Sequence, residues 1–232
     1  MKYVVLIPAR GGSKRFPRKN LYPLCEKSLL AHSILYSQRV LPDVEVYVST
    51  DSEEIAAVAR KYGAGVIERP AELSGDLCPT DLALQHAATE LLSLRKEFDY
   101  MLCIQVTNPL RPDGMMEEAL QIIESGKNDS LFTVSPLLRK LGRLVDGQFI
   151  PWNFKFGQRS QDMENLYFEN GLLYISHRDL ILNGRIRGDS LYSLIVDHPF
   201  GALDIDSRED FELVEYYYGK YKMSEKQEDE IV

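Results

Sequence analysis

Short apolar runs recur along the first 135 positions of the chain, separated by stretches whose apolar residues fall at helical spacing. Lys2–Pro8 (KYVVLIP) is unbroken by polar residues after Lys2, the pattern of a strand buried on both faces of a parallel sheet. A loop from Ala9 to Pro23 follows, and Ser28 is placed to cap a helix over Leu29–Val40, with Leu30, Ile34, Leu35 and Leu41 near helical spacing. Val44–Ser49 reads as a second strand. A helix then starts at Asp51 or Ser52 and ends at Gly63, a left-handed cap. Gly65–Ile67 is a third strand, residues 68–79 a loop, and Thr80 opens a helix to about Lys96. Tyr100–Gln105 is another buried strand, Pro112 and Asp113 start a helix to about Ser125, and Ser130–Ser135 is the next strand. This alternation predicts an α/β fold with a doubly wound, mostly parallel sheet and right-handed crossovers.

Residues 137–168 break the alternation. Arg143–Ile150 reads as a hairpin turning at Asp146-Gly147, followed by a polar and aromatic stretch with Pro151, Trp152, Phe154, Phe156, Arg159 and Tyr167. An arm over the site or into a partner subunit is one explanation; a surface excursion without a role is the other. Regular structure resumes with strand Leu172–Ile175, a helix at 177–183, and strands at Tyr192–Val196 and Ala202–Asp206. Ser207 and Asp210 form a capping box for a last helix. One domain is expected over 1–222, then a charged tail, 223–232, that frays.

Composition narrows the function. In 232 residues, 44% hydrophobic and 27% charged, a large core needs no disulfide or metal staple. The net charge of −8 argues against nucleic acid or an anionic membrane as partner. Cys25, Cys78 and Cys103 are odd in number and lack CxxC spacing, which fits a reducing compartment, with Cys103 a core residue. The N-terminal stretch does not read as a secretory signal and no apolar run is long enough to span a bilayer, so a cytoplasmic protein is expected.

Against that acidic background, Ala9–Asn20 (ARGGSKRFPRKN) concentrates Arg10, Lys14, Arg15, Arg18 and Lys19 in a loop without an acidic residue. The loop leaves the carboxyl end of the first strand, where α/β sheets bind ligands. Gly11 and Gly12 let backbone N–H groups approach phosphate, lysines supply point charges and arginines planar forks. The spacing is neither GxxxxGK[ST] nor GxGxxG. Asp204 and Asp206, two residues apart on a strand, would share a face and repel unless a cation sat between them. Mg²⁺ bridging to substrate phosphates suits them, although helix capping would also explain the pair. Gln105–Arg111 (QVTNPLR) offers an amide, a hydroxyl and a guanidinium at the same sheet edge, or is only a proline-stopped loop. In Glu68–Asp76 (ERPAELSGD), Arg69 could reach phosphate or base, or pair with Glu68 or Glu72. Asn170-Gly171, by itself, is a turn entering a strand; His32 and His86 read as structural residues on helix faces.

Taken together, these segments resemble the cytidylyltransferases that activate nonulosonic acids, of which the CMP-N-acylneuraminate (CMP-sialic acid) synthetases are the best known. Residues 9–20 are similar to that family's Ala-Arg-x-x-Ser-Lys-x-x-Pro-x-Lys-Asn motif, and Arg69–Leu73, Gln105–Arg111, Asn170-Gly171 with Tyr174, and Asp204–Asp206 match its other motifs in order. The resemblance covers about residues 2–215. It implies transfer of CMP from CTP to the C2 hydroxyl of a nine-carbon α-keto acid sugar, with Mg²⁺ as cofactor and a homodimer as the working unit. By position it implies that Ala9, Arg10, Gly11, Gly12, Ser13, Lys14, Asn20, Arg69 and Thr80 bind the nucleotide. Lys19, Arg10, Lys14 and Asp206 would be catalytic, and Asp204 and Asp206 would hold the metal. Gln105, Arg139, Lys140, Arg159, Asn170 and Tyr174 would meet the sugar.

The departures cluster around the sugar. Arg15 stands where sialic acid enzymes usually have glycine and resembles the pseudaminic and 3-deoxy-manno-octulosonate (Kdo) branches, whereas Asn20 argues against Kdo. Val106 and Asn108 differ from the usual Gln-Pro-Thr-Ser-Pro, and Phe168-Glu169 replace a common Arg-Pro. CTP use is untouched by these changes, and the acid stays open among N-acylneuraminic, legionaminic, pseudaminic, KDN and Kdo. The rivals are another sugar nucleotidyltransferase and a non-catalytic nucleotide-binding module.

Overall fold

The structure is a computed structural model that describes residues 1–229, with side chains described as far as Tyr221. In chain order it forms β1 (Tyr3–Pro8), β2 (Pro23–Leu24), β3 (Lys27–Ser28), α1 (Leu29–Val40), β4 (Val46–Thr50), α2 (Glu53–Lys61), β5 (Gly65–Glu68), α3 (Thr80–Ser93), β6 (Tyr100–Cys103) and α4 (Met115–Glu124). There follow β7 (Ser130–Leu137), β8 (Gly142–Val145), β9 (Gln148–Pro151), β10 (Leu166–His177), α5 (Arg178–Leu182), β11 (Leu191–Ile195) and α6 (Arg208–Asp229). No helix among the described residues is long and apolar enough to cross a membrane.

The unbroken apolar run of β1 has a direct cause. Alternate side chains enter two different cores: Val5 and Ile7 pack with Leu30 and Ile34 of α1, while Val4 and Leu6 pack with Leu84 and Leu91 of α3. Helices therefore cover both faces, and each fully buried Leu or Ile contributes about 2 kcal/mol of transfer free energy. Cys103 lies in the second core as expected, and burial pushes its thiol up to about 12.

The central sheet has the order β11-β7-β10-β6-β1-β4-β5. β1, β4, β5 and β6 pair in parallel, and so do β7 and β11; β10 runs antiparallel between β6 and β7. From β1 the chain winds out through β4 and β5, then returns to place β6 on the other side of β1. Their carboxyl ends thus form a topological switch point, the crevice where open α/β sheets bind ligands.

The expected caps are present: Ser28 accepts from Ala31 N at 3.2 Å, Gly63 has φ +77°, and the Asp210 carboxylate accepts from Ser207 N at 2.8 Å. The hairpin of β8 and β9 turns at Asp146 (φ 50°) and Gly147 (φ 78°), both in the left-handed region that a two-residue turn demands. Leu144, Phe149, Ile150, Trp152 and Phe156 of this excursion are exposed, an unusual concentration of apolar surface.

Two expectations need correction. Asn170-Gly171 does not enter a strand; β10 begins earlier, at Leu166, and the pair makes a bulge inside it, where register shifts between Glu169 and Tyr174 and Gly171 takes φ +74°. Residues 202–206 are not a strand. Leu203 N bonds the local Phe200 carbonyl and Ile205 N the Thr107 carbonyl at 3.0 Å, with no ladder to a neighbouring strand, yet the alternation survives: Leu203 and Ile205 point inward, Asp204 and Asp206 outward. The tail expected over 223–232 is followed as helical backbone to Asp229; residues 230–232 lie outside the described residues.

Candidate active site

Two cavities open side by side at the switch point and share Gln105. The first, about 230 Å³, is bordered by Arg10, Asn20, Arg69, Asp76, Thr80 and Gln105. The second, about 290 Å³, is bordered by Asn108, Glu169, Gly171, Tyr174 and Asp204 together with Gln105. Gln105 lies just past β6, at the wall between them.

The basic loop reaches the first cavity because Asn20 folds it back: its Nδ2 donates to the Arg10 carbonyl at 2.9 Å. Arg10 Nη1 and Lys14 Nζ both grip Asp76, at 2.9 and 2.5 Å, so one carboxylate bridges two of the loop's cations. The hydrogen bond from Lys14, with the Lys14 and Arg10 charges, holds the Asp76 carboxyl below the usual range. Arg69 is buried and does not pair with Glu68 or Glu72; it donates from Nε to Ser49 Oγ at 3.0 Å and from Nη2 to the Ser49 carbonyl at 2.8 Å.

Across the crevice, Lys19 is nearly enclosed and donates to the Ile205 carbonyl at 2.5 Å and to Asp206 Oδ1 at 3.2 Å. Arg15 also pairs with Asp206, at 3.1 Å. Asp204 is exposed by surface area but sits in a concave wall, where neighbouring atoms still displace water. That partial desolvation, with the Asp206 charge, pushes its carboxyl up against a hydrogen bond from Thr107 and the Lys19 charge.

A family profile described as Cytidylyltransferase matches residues 4–219. The chain belongs to the cytidylyltransferase family. Among its relatives are the pseudaminic acid cytidylyltransferase of Campylobacter jejuni, 31% identical over 94% of this chain and 97% of that one, and the CMP-N,N'-diacetyllegionaminic acid synthase of Legionella pneumophila, 33% identical over 93% and 95%. A CMP:2-keto-3-deoxy-manno-octonic acid synthetase solved with CTP superimposes with a TM-score of 0.72 at 17% identity, covering 95% of this chain and all of the other, which shows a shared fold.

In this cytidylyltransferase Arg10, Lys14, Lys19, Asn20, Arg69, Thr80, Gln105, Asn170, Tyr174, Asp204 and Asp206 come together around one crevice. The remaining residues are engaged as follows. The Ala9 side chain is buried and its N–H is taken by the Ser49 carbonyl, and the Gly11 N–H is taken by Asp51 Oδ1 at 2.8 Å. Neither amide is presented to a ligand here, whereas Gly12 and Ser13 carry no such contact. Arg18 turns away to pair with Glu54. Asn170 borders the second cavity but is buried, and its side chain is engaged within the protein: its Oδ1 accepts from Thr133 Oγ1 and Leu172 N while its Nδ2 donates to Ser135 Oγ. Arg139 and Lys140 lie at the base of the arm, where Lys140 donates to the Gln158 carbonyl, and Arg159 is held by Asp162 at 2.8 Å. None of the three borders either cavity.

Sequence reasoning assigned no role to Asp76 or Glu169. Glu169 accepts from Tyr174 Oη at 2.6 Å and pairs with Arg187 at 3.1 Å; burial and this bond push the Tyr174 phenol up. Asp76 lay in a recognised segment, but only the fold brings it to Lys14.

Proposed function

We propose that this cytidylyltransferase transfers CMP from CTP to the C2 hydroxyl of a nine-carbon α-keto acid sugar of the N-acylneuraminate type, releasing pyrophosphate. The observation that carries this is the pair of cavities sharing Gln105, one rimmed by cations and the other by hydrogen-bonding groups, with Lys19, Asp204 and Asp206 alongside. Relatives named for pseudaminic and diacetyllegionaminic acids, at 31% and 33% identity, support a nonulosonic acid as acceptor.

In this mechanism the hydroxyl oxygen attacks the α-phosphorus of CTP as its proton passes to a carboxylate of the Asp204–Asp206 pair, the bond to the bridging oxygen breaks, and pyrophosphate leaves. Arg10 and Lys14 exchange the Asp76 carboxylate for phosphate oxygens, and Lys19 faces the charge that develops on the transferred group. Asn20, Arg69 and Thr80 line the nucleoside side; Gln105 and Tyr174 line the sugar side. The residues fit Mg²⁺: two outward carboxylates lie two positions apart, Asp206 already drawing the cations Lys19 and Arg15 and raising the carboxyl of Asp204. Such an ion would complete its shell with phosphate oxygens and water, and would neutralise phosphate charge. The exposed apolar arm supports a homodimer in which Arg139 and Lys140 approach the partner's sugar carboxylate. Sedimentation equilibrium should then give twice the 26.5 kDa chain mass; a monomer at assay concentration would remove that role.

The deciding experiment measures pyrophosphate release with CTP and Mg²⁺ against N-acetylneuraminic, KDN, legionaminic, pseudaminic and Kdo acids, with UTP and ATP as controls and EDTA added last. Release with CTP and a nonulosonic acid, abolished by EDTA, is expected. Silence across the panel with CTP still bound would reject the acceptor class, and persistence in EDTA would reject the metal.

A further inference from the structure

The segment Gln105–Arg111 has a second face, turned away from the crevice. Behind it lies a separate cavity of about 350 Å³, bordered by Lys27, His32, Tyr36, Arg39, Arg111 and Phe200 among others. No carboxylate is in that lining among the described residues.

Arg111 is the unusual member. Its side chain is buried, with the residue 4% exposed, and its Nε and Nη2 donate to two backbone carbonyls, Leu172 at 3.0 Å and Gln105 at 2.7 Å. Its Nη1, also buried, has no hydrogen-bond partner among the described residues. The guanidinium carbon stands 5.2 Å from the ring centroid of Tyr36, another residue of the lining. Burial pushes the guanidinium down to about 10, which still leaves it cationic at neutral pH. A buried cation is ordinarily matched by an anion, and here the contacts are carbonyls and a ring. Lys27, half-buried at the same cavity, has no ion pair among the described residues. Two acids stand near Tyr36 among the described residues: Glu117, and Asp113, which is already shared between Arg39 at 3.3 Å and Tyr221 Oη at 2.8 Å.

We propose that this cavity is an oxyanion-binding site distinct from the catalytic crevice, which takes the carboxylate or phosphate group of a small organic molecule between Arg111 and Lys27. The volume exceeds that of a bare ion, since one water occupies roughly 30 Å³. The aromatic wall of Tyr36 and Phe200 suits the ligand's apolar part. Because Arg111 Nη2 also holds the Gln105 carbonyl, the site is one side chain away from the wall between the two catalytic cavities.

The test is calorimetric titration of the full chain with inorganic phosphate and, separately, with succinate, so that the two chemistries are distinguished. Each titration is run with and without saturating CTP and compared with Lys27→Glu, a change at the cavity's open edge that leaves the core intact; Arg111→Met is a second variant. A binding event that persists with CTP and weakens about tenfold or more in Lys27→Glu is expected for at least one probe. If neither probe shows a Lys27-dependent event, the proposal is overturned, whether or not CTP itself binds. Failure of CTP to bind would count only against the nucleotide crevice.

Discussion

Lys19→Ala is expected to lower kcat by about 10²–10³, the cost of removing one preorganised charge from a transition state, near 3 kcal/mol. Two features make the loss large. Lys19 is nearly enclosed, so its charge acts through little water, whereas Arg15, which shares Asp206, is largely exposed; Arg10 and Lys14 face Asp76, and Arg18 faces Glu54. Lys19 also ties the Ile205 carbonyl and Asp206 to the loop, so it positions the carboxylate segment as well. Steady-state kinetics with the best acid from the panel would check this. Raising Mg²⁺ should not restore the rate, because the missing charge lies on the protein. Full activity in a folded Lys19→Ala protein would remove Lys19 from the catalytic assignment.

Asn170→Ala is expected to destabilise the fold by about 2–4 kcal/mol, since each buried polar group left unpaired costs about 1–3. The Leu172 N–H would lose its acceptor inside the bulge, and the Thr133 and Ser135 hydroxyls would each lose a partner. For a chain of this size that corresponds to a Tm lower by roughly 5–15 °C. Thermal denaturation measures it, and kinetics below the transition separates two roles for the residue. An unchanged Tm with a selective rise in KM for the acid would mean that the side chain binds sugar after all, as its motif suggested.

That motif marks where sequence reading ends. Asn170-Gly171 was legible as a special backbone site, because a left-handed glycine beside an asparagine signals a turn or bulge whatever surrounds it. Which way the asparagine points depends on β7, whose Thr133 and Ser135 lie more than thirty positions earlier and meet it only through antiparallel pairing. Asp204 and Asp206 show the same division. Their shared outward face followed from alternation alone. Their backbone is nevertheless no strand, because the Asn108 side chain and the Thr107 carbonyl hold the segment in place of a sheet partner.

By itself, then, the sequence determined the properties that are local: the buried run of β1, the caps at Ser28, Gly63 and Ser207, the hairpin at Asp146-Gly147, and the cationic loop on which the family resemblance rests. Those depend on steric preferences and hydrogen bonds within a few residues. Only the tertiary structure decided which charges are available to a ligand. Asp76 engages Lys14, Asp51 occupies the Gly11 amide, and Arg111 is buried without an anion among the described residues. Coulombic and hydrogen-bond partners are chosen by distance in space, and most of these pairs are brought together by the winding of the sheet about β1 rather than by any spacing along the chain.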